Sequence, residues 1–124
     1  MNEDLSQSMD LYRQARQMMD NGELDDAVVL FYRSIELSPH FKALELLGEC
    51  LMRFDRLREA IAPLAAATSL HRGVRAPSLL ADVFLKLKDY QAAEKMADIA
   101  LSRDSNNRKA IEVKKVVARS KGAA

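Results

Sequence analysis

The most constraining feature of this 124-residue sequence is an internal repeat with a period of 33 residues. Three segments align, each with a polar turn, then a large residue and then an alanine: residues 21–28, 54–61 and 87–94. Their alanines recur at the same spacing: Ala27, Ala60 and Ala93. A fixed period of this length is typical of architectures in which one supersecondary unit stacks on the next.

A second set of repeated positions lies twelve residues before those alanines. It places a small residue at the same period: Ala15, Gly48 and Ala81. A large apolar residue follows three positions after each: Met18, Leu51 and Phe84. Because two helices approach closely only where side chains are small, we expect three pairings: Ala15 with Ala27, Gly48 with Ala60, and Ala81 with Ala93.

Apolar residues recur every three or four positions, and no useful stretch alternates in the manner of a strand. This periodicity predicts amphipathic helices and an all-α fold. The predicted helices cover residues 5–20, 24–37, 41–53, 57–70, 76–87, 90–102 and 107–120. Pro63 falls inside the fourth helix, where its missing backbone donor predicts a kink, whereas Pro77 falls in a first turn, where proline is tolerated.

The repeated pattern resembles that of the tetratricopeptide repeat, W-x2-L-G-x2-Y followed by A-x3-F and a proline. The resemblance covers residues 8–107 in three units. The matching residues are Leu11, Gln14, Ala15, Met18, Ala27, Phe31 and Pro39, then Leu44, Leu47, Gly48, Leu51, Ala60 and Leu64, then Leu80, Ala81, Phe84, Ala93 and Ala97. The chain departs from the pattern in having no tryptophan, one closing proline and a period shorter by one residue. Ankyrin repeats share the 33-residue period, but their T-P-L-H motif is missing.

The resemblance implies an α-solenoid of three antiparallel helix-turn-helix repeats in a right-handed superhelix, with about seven helices. It implies one domain over residues 1–124, with repeats at about 8–40, 41–73 and 74–107. The last helix, 107–120, is interpreted as a cap over the open end of the stack. Its apolar stripe consists of Ala110, Val113, Val116 and Val117. Its basic residues also make it a candidate docking face: Lys109, Lys114, Lys115 and Arg119.

We find no set of residues that points to catalysis, a cofactor or a metal ion. The single cysteine, Cys50, excludes an internal disulfide and has no nearby base to activate it. His40 and His71 fall at predicted helix ends, and we interpret them as surface or capping residues and not as zinc ligands. No phosphate-binding glycine motif occurs, and the adjacent Asp25 and Asp26 suit the first turn of a helix. We therefore expect a protein that is not an enzyme.

The charges are unevenly distributed, although the formal net charge is only +1. Residues 1–54 carry 5 basic and 10 acidic residues, and residues 55–124 carry 14 and 8, so the halves differ in sign. The tyrosines are not interleaved with basic residues, which disfavours nucleic-acid binding. The acidic start does not resemble a secretory signal, and the longest uncharged run is too short to cross a membrane. We expect a cytoplasmic protein without membrane insertion.

The resemblance, and not the periodicity, implies which residues face a groove formed by the first helix of each repeat. They mix flexible apolar, aromatic and charged side chains, which suit recognition of a peptide or a helix. Their acidic members, Glu45, Glu49 and Asp82, are expected to repel an acidic peptide and to attract a basic one. The full set is Met9, Tyr12, Arg16, Met19, Lys42, Glu45, Glu49, Met52, Arg75, Ser78, Asp82 and Leu85.

The function implied is that of a non-catalytic adaptor that binds a peptide or helix of a partner protein in this groove. A second hypothesis is a self-associating assembly subunit that uses apolar helix faces left open at the array ends, so that the chain is a monomer or a homodimer. A third is a chaperone of bacterial secretion, a group that three-repeat helical proteins of this size resemble. The starting Met and the cap-like last helix favour a whole repeat protein over a fragment.

One subfamily of tetratricopeptide repeats binds the acidic C-terminal tails of heat-shock chaperones through Lys, Asn and Arg side chains. The matching slots here hold Tyr12, Arg16, Leu46, Arg75 and Leu79, of which only Arg75 keeps the expected character. We predict that the chain does not bind such tails, because apolar side chains replace charge-assisted donors. Calorimetry with an acidic tail peptide checks this, and micromolar affinity would contradict it.

Overall fold

The computed structural model describes residues 3–122, which form seven α-helices. They are α1 (Glu3–Asp20), α2 (Leu24–Leu37), α3 (Phe41–Arg53), α4 (Leu57–Leu70), α5 (Arg75–Lys86), α6 (Tyr90–Arg103) and α7 (Arg108–Gly122). Each boundary lies within two residues of the predicted one. The described residues contain no strand, so the predicted all-α fold class is confirmed. The outermost residues of the predicted domain, 1–2 and 123–124, lie outside the described part of the chain.

The turn inside each hairpin is the same backbone motif, repeated at the 33-residue period. A left-handed residue stands two positions after each first helix: Gly22 (φ 82°), Asp55 (φ 59°) and Lys88 (φ 63°). The next amide bonds to a carbonyl five residues earlier: Glu23 to Met18 at 2.8 Å, Arg56 to Leu51 at 2.9 Å and Asp89 to Phe84 at 2.9 Å. This is a Schellman motif, which satisfies carbonyls that a helix end leaves unpaired. The repeat seen in the sequence is therefore also a repeat of turn geometry.

Small residues lie between the two helices of each hairpin. Five of them are alanines without exposed surface: Ala15, Ala27, Ala60, Ala81 and Ala93. At Gly48 the tightest contact is with Leu64, since a Cβ atom at position 48 would lie 2.5 Å from Leu64 Cγ. The closest partner of Gly48 is thus Leu64, one helical turn after the expected Ala60, because the Leu64 side chain fills the space beside the glycine.

The hairpins stack with their first helices closer together than their second helices. α1 contacts α3 and α3 contacts α5. Within residues 3–122, by contrast, no residue pair of α2 and α4, or of α4 and α6, brings its Cα atoms within 8 Å. The first helices therefore line the inner side of the stack. The largest side chains buried between the hairpins include Phe31, Leu47, Leu51, Leu64 and Leu80.

The two prolines of the later repeats are both buried in helices. Pro63 lies inside α4, which continues as an α-helix from Leu57 to Leu70. Its missing N–H leaves the Glu59 carbonyl without the usual donor inside the helix. Pro77 is the third residue of α5, where the missing donor costs no intrahelical bond. The placement of Pro77 agrees with the prediction from the sequence.

The last helix, α7, packs on α6 and α5 through Ala110, Val113 and Val117, all of them buried. Val116 is only partly buried. Basic residues at the edges of α7 pair with carboxylates of the third hairpin: Lys114 with Asp98 at 2.7 Å, Lys121 with Glu94 at 3.0 Å and Lys109 with Asp82 at 3.6 Å. The helix thus covers the apolar end of the third hairpin and turns a charged face outward.

Gly48→Ala should destabilise the fold, although alanine favours a helix over glycine by about 1 kcal/mol. The new Cβ would lie 2.5 Å from Leu64 Cγ and Cδ2, and overpacking of this kind costs about 1–3 kcal/mol. Chemical denaturation measures the net loss. In a Leu64→Ala background the same substitution should stabilise the helix, because the clash is gone. Gly122→Ala is the control, since its Cβ would meet no atom within 4 Å. A higher midpoint for Gly48→Ala than for the wild type would contradict the prediction.

Candidate functional site

The first helices α1, α3 and α5 surround a cavity of about 280 Å³ on the inner side of the stack. We call it the groove cavity. Its lining residues are Tyr12, Arg16, Lys42, Glu45, Leu46 and Arg75. Five of these six belong to the set that the family resemblance implied for the groove. They come from three different repeats, and the contact of α3 with both α1 and α5 brings them together.

The aromatic wall of the groove cavity is Tyr12, whose side chain is 6% exposed. Its ring contacts Phe31 (centroids 6.2 Å apart) and meets the His40 ring edge-on at 5.1 Å. His40 precedes α3 and caps it, because its Nδ1 accepts a hydrogen bond from the Ala43 amide at 3.4 Å. Tyr12 is therefore held in one position by groups from two helices and a turn.

His40 takes the capping role, one of the two roles (surface or capping) that the sequence predicted. Since Nδ1 is the acceptor, the neutral ring carries its proton on Nε2, which is buried and has no hydrogen-bond partner in the described part of the chain. Burial and the nearby Lys42 lower the pKa of His40. The neutral imidazole is therefore the form that fits this site.

The carboxylates in the middle of the groove form ion pairs with arginine. Arg75 of α5 forms an ion pair with Glu49 and approaches Glu45 to 3.7 Å, both of which lie on α3. Glu49 also lies 3.9 Å from Arg53. Burial raises the pKa of Glu45, and Arg75 opposes that rise. The expectation that Glu45 and Glu49 attract a basic peptide thus loses its basis, because the protein's own arginines already neutralise them.

Asp82 is paired in the same way further along the groove. It lies 3.3 Å from Lys86 on its own helix and 3.6 Å from Lys109 of α7. The last helix therefore contributes a charge to the groove. Sequence reasoning did not place Lys109 there, because no pattern within α7 indicates which turn of α5 it will meet.

Two cations of the groove cavity remain available. Arg16 and Lys42 are exposed, and neither has a hydrogen-bond or ion-pair partner among residues 3–122. Leu46 lies beside them, one helical turn after Lys42. It occupies one of the clamp slots considered above but was not in the implied groove set. The spacing of four residues between Lys42 and Leu46 was the available signal, since such residues share a helix face.

The remaining members of the implied set divide by exposure. Met9, Met52 and Leu85 are partly exposed. Met19 and Ser78 are each only 5% exposed and, unlike the buried Tyr12, do not line the groove cavity, contrary to the expectation that they face the groove. Met19 packs in the core, and Ser78 donates a hydrogen bond to Asn107 Oδ1 at 3.1 Å, which ties α5 to the start of α7. We leave both out of the proposed binding surface.

The other candidate reactive groups have structural surroundings. Cys50 is fully buried, and burial raises the pKa of its thiol to about 11. His71 ends α4, stacks on Phe41 with ring centroids 3.7 Å apart, and accepts a hydrogen bond from the Gly73 amide. Within residues 3–122, no three His, Cys, Asp or Glu side chains are placed to hold a metal ion. No helix in that range is long and apolar enough to span a membrane.

The geometry of paired helices, Schellman turns and a groove on the first helices defines a tetratricopeptide-repeat fold, and solved structures agree. The first such domain of Spaghetti (RPAP3), bound to the HSP90 peptide SRMEEVD, superposes with a TM-score of 0.88 over 95% of each chain, at 15% identity. The domain of Arabidopsis OM64 gives 0.86 over 94% of this chain and 98% of that one, at 14% identity.

A third likeness is to SycD, a type III secretion chaperone of Yersinia enterocolitica in complex with a peptide of the translocator YopD. Its TM-score is 0.77 over 95% of this chain and 92% of that one, at 21% identity. The sequence matches no family model and no curated protein. The chain therefore has the tetratricopeptide-repeat fold that its sequence resembles.

The His40 cap predicts a pH dependence of stability. The pKa of His40 is lower in the folded protein than its ordinary value of about 6.5, so the unfolded chain binds the proton more tightly. The stabilisation is complete above pH 6.5 and is lost as the pH falls from there through the folded pKa. Denaturant unfolding at a series of pH values measures it. His40→Asn, which keeps a capping side chain but does not titrate, should have a flatter profile; identical profiles would contradict this role.

Proposed function

We propose that this protein is a non-catalytic interaction module that binds a segment of a partner protein in the groove. The observation that supports this is the groove cavity itself. It combines an aromatic wall, Tyr12, with the apolar Leu46 and two cations, Arg16 and Lys42, that have no partner in the described part of the chain. Apolar surface beside a few polar groups is the usual composition of a binding site.

The pairing of charges narrows the chemistry of the partner segment. Glu45, Glu49 and Asp82 are already neutralised within the chain, so they offer little to a basic ligand. Among the charges that line the groove cavity, Arg16 and Lys42 have no partner within the described residues. An arginine fork suits one carboxylate. We therefore propose a segment that places an apolar side chain against Tyr12 and Leu46 and one acidic side chain against Arg16 and Lys42.

This proposal differs from recognition of an acidic chaperone tail. Such a tail presents several carboxylates, and Arg75, the one clamp slot that keeps its character here, is engaged by Glu45 and Glu49. The solved neighbours include complexes with peptides of HSP90, of Hsp70 and of a translocator. Those partners are properties of the neighbours, and for this chain they support peptide binding as a class of function.

Charge reversal in the groove tests the proposal. The purified protein captures partners from lysate of its source organism, and peptides of each captured protein are then titrated by fluorescence polarisation. Arg16→Glu/Lys42→Glu should weaken binding at least about tenfold, since hydrogen bonds to charged groups contribute about 1.5–3 kcal/mol each. The matched control is Arg58→Glu/Lys95→Glu, which changes the net charge equally at exposed residues outside the groove. Equal retention of the partner by both variants would refute groove binding.

A secretion-type chaperone is the second candidate, favoured by the likeness to SycD with its bound translocator peptide. The same groove would then hold a segment of a client that is not folded on its own. Co-expression distinguishes the two roles. A client stays soluble only when this chain is present, whereas the partner of an adaptor is soluble alone.

A further inference from the structure

One face of the first hairpin is open, although the equivalent face of the second and of the third hairpin is covered by the hairpin that precedes it. In the second hairpin this face includes Leu44 and Leu47, and in the third it includes Pro77 and Leu80, and all four are buried. The residues 33 positions before Leu44 and Leu47 are Leu11 and Gln14 of α1. They line a cavity of about 450 Å³, together with Gln7, Asp10, Arg33, Glu36 and Leu37. We call this surface the head face; an additional helix could pack there.

The head face is apolar at its centre and mostly acidic around it. Leu11 and Leu37 are only partly buried. Glu3 lies one turn before Gln7 on the same stripe of α1 and bonds to it at 3.3 Å. Asp10 forms an ion pair with Arg13 at 2.9 Å. With Glu3, Asp10 and Glu36 against Arg13 and Arg33, the face carries one more negative than positive charge. The apolar face expected at the open end thus consists of two leucines, with mostly acidic residues around them.

The opposite end of the molecule carries the complementary charge. The buried residues of α7 are Ala110, Val113 and Val117, so the opposite side of the helix faces outward. That outward stripe, the tail face, consists of Arg108, Glu112, Lys115 and Arg119, all exposed. Arg108 and the Lys115 ammonium have no side-chain partner among the described residues, while Arg119 bonds Glu112 at 3.3 Å. The tail face is therefore basic.

We propose that the head face binds the tail face of a second copy of this chain, so that copies associate head to tail. The charge complementarity supports this occupant, because two copies of the same end would repel each other. The α7 helix of one copy would lie on α1 and α2 of the next and cover Leu11 and Leu37. Such a contact joins unlike surfaces, so it yields open chains or rings of copies and not a two-fold dimer.

The consequence for function is multivalency. Arg16 and Lys42, which line the groove cavity, belong to neither end face, so head-to-tail association would leave them accessible. A chain of copies would present several grooves to one partner and raise the apparent affinity without any new groove contact. Failure of self-association therefore leaves the proposed groove binding untouched, and the reverse also holds.

Charge reversal at the two ends tests the proposal by sedimentation velocity over a concentration series at low salt. The average mass of the wild type should rise with concentration. A head variant, Asp10→Lys/Glu36→Lys, and a tail variant, Arg108→Glu/Lys115→Glu, should each stay monomeric. An equimolar mixture of the two should associate again, because each variant end then meets an opposite charge.

The control is Asp25→Lys/Asp26→Lys, which makes the same change of charge at the other end of α2. It should associate like the wild type, and circular dichroism confirms that all variants are folded. A wild type that stays monomeric throughout would overturn the proposal. A dimer of fixed mass that the end variants do not affect, or a control that is impaired as much as the head variant, would overturn it equally.

Discussion

The close contact between two helices across small buried residues is the interaction on which the rest of this structure depends. Ala15, Ala81 and Ala93 have no exposed surface, and at Gly48 the absence of a side chain admits Leu64. Each contact lets the two helices of a hairpin pack closely along a few helical turns. The Schellman turn fixes the direction in which the second helix follows the first. Because both recur every 33 residues, successive hairpins present the same surfaces and stack in the same way.

The stacking creates the groove as a consequence. First helices meet through α3, while second helices stay apart, so the residues of α1, α3 and α5 converge on one side. Convergence also brings charges together from different repeats. Arg75 finds Glu45 and Glu49, and Lys109 finds Asp82. Arg16 and Lys42, the groove-cavity cations that have no partner within residues 3–122, are therefore a property of the assembled stack and not of any one repeat.

Much of this was predictable because helix formation and repeat register are local. Helical periodicity located the seven helices of the described chain to within two residues. The place of His40 at a predicted helix end indicated a surface or capping role, and the structure shows the capping role. The family resemblance predicted one shared surface for five residues that line the groove cavity: Tyr12, Arg16, Lys42, Glu45 and Arg75. It did not separate Met19 and Ser78, which the structure buries, because exposure at a given helix position depends on how deeply the neighbouring helix packs.

The sequence by itself determined the period, the small residues and the polar turns, and these suffice for three helical hairpins because each acts within one hairpin. The tertiary structure alone decided which charges are satisfied. Glu45 and Arg75 are thirty residues apart in sequence, and their 3.7 Å approach depends on the rotation of one hairpin against the next. Likewise, the burial of Ser78 against Asn107 depends on where α7 packs against α5. Electrostatic pairing falls off with distance over a few ångströms, so it responds to packing detail that a repeat pattern does not contain.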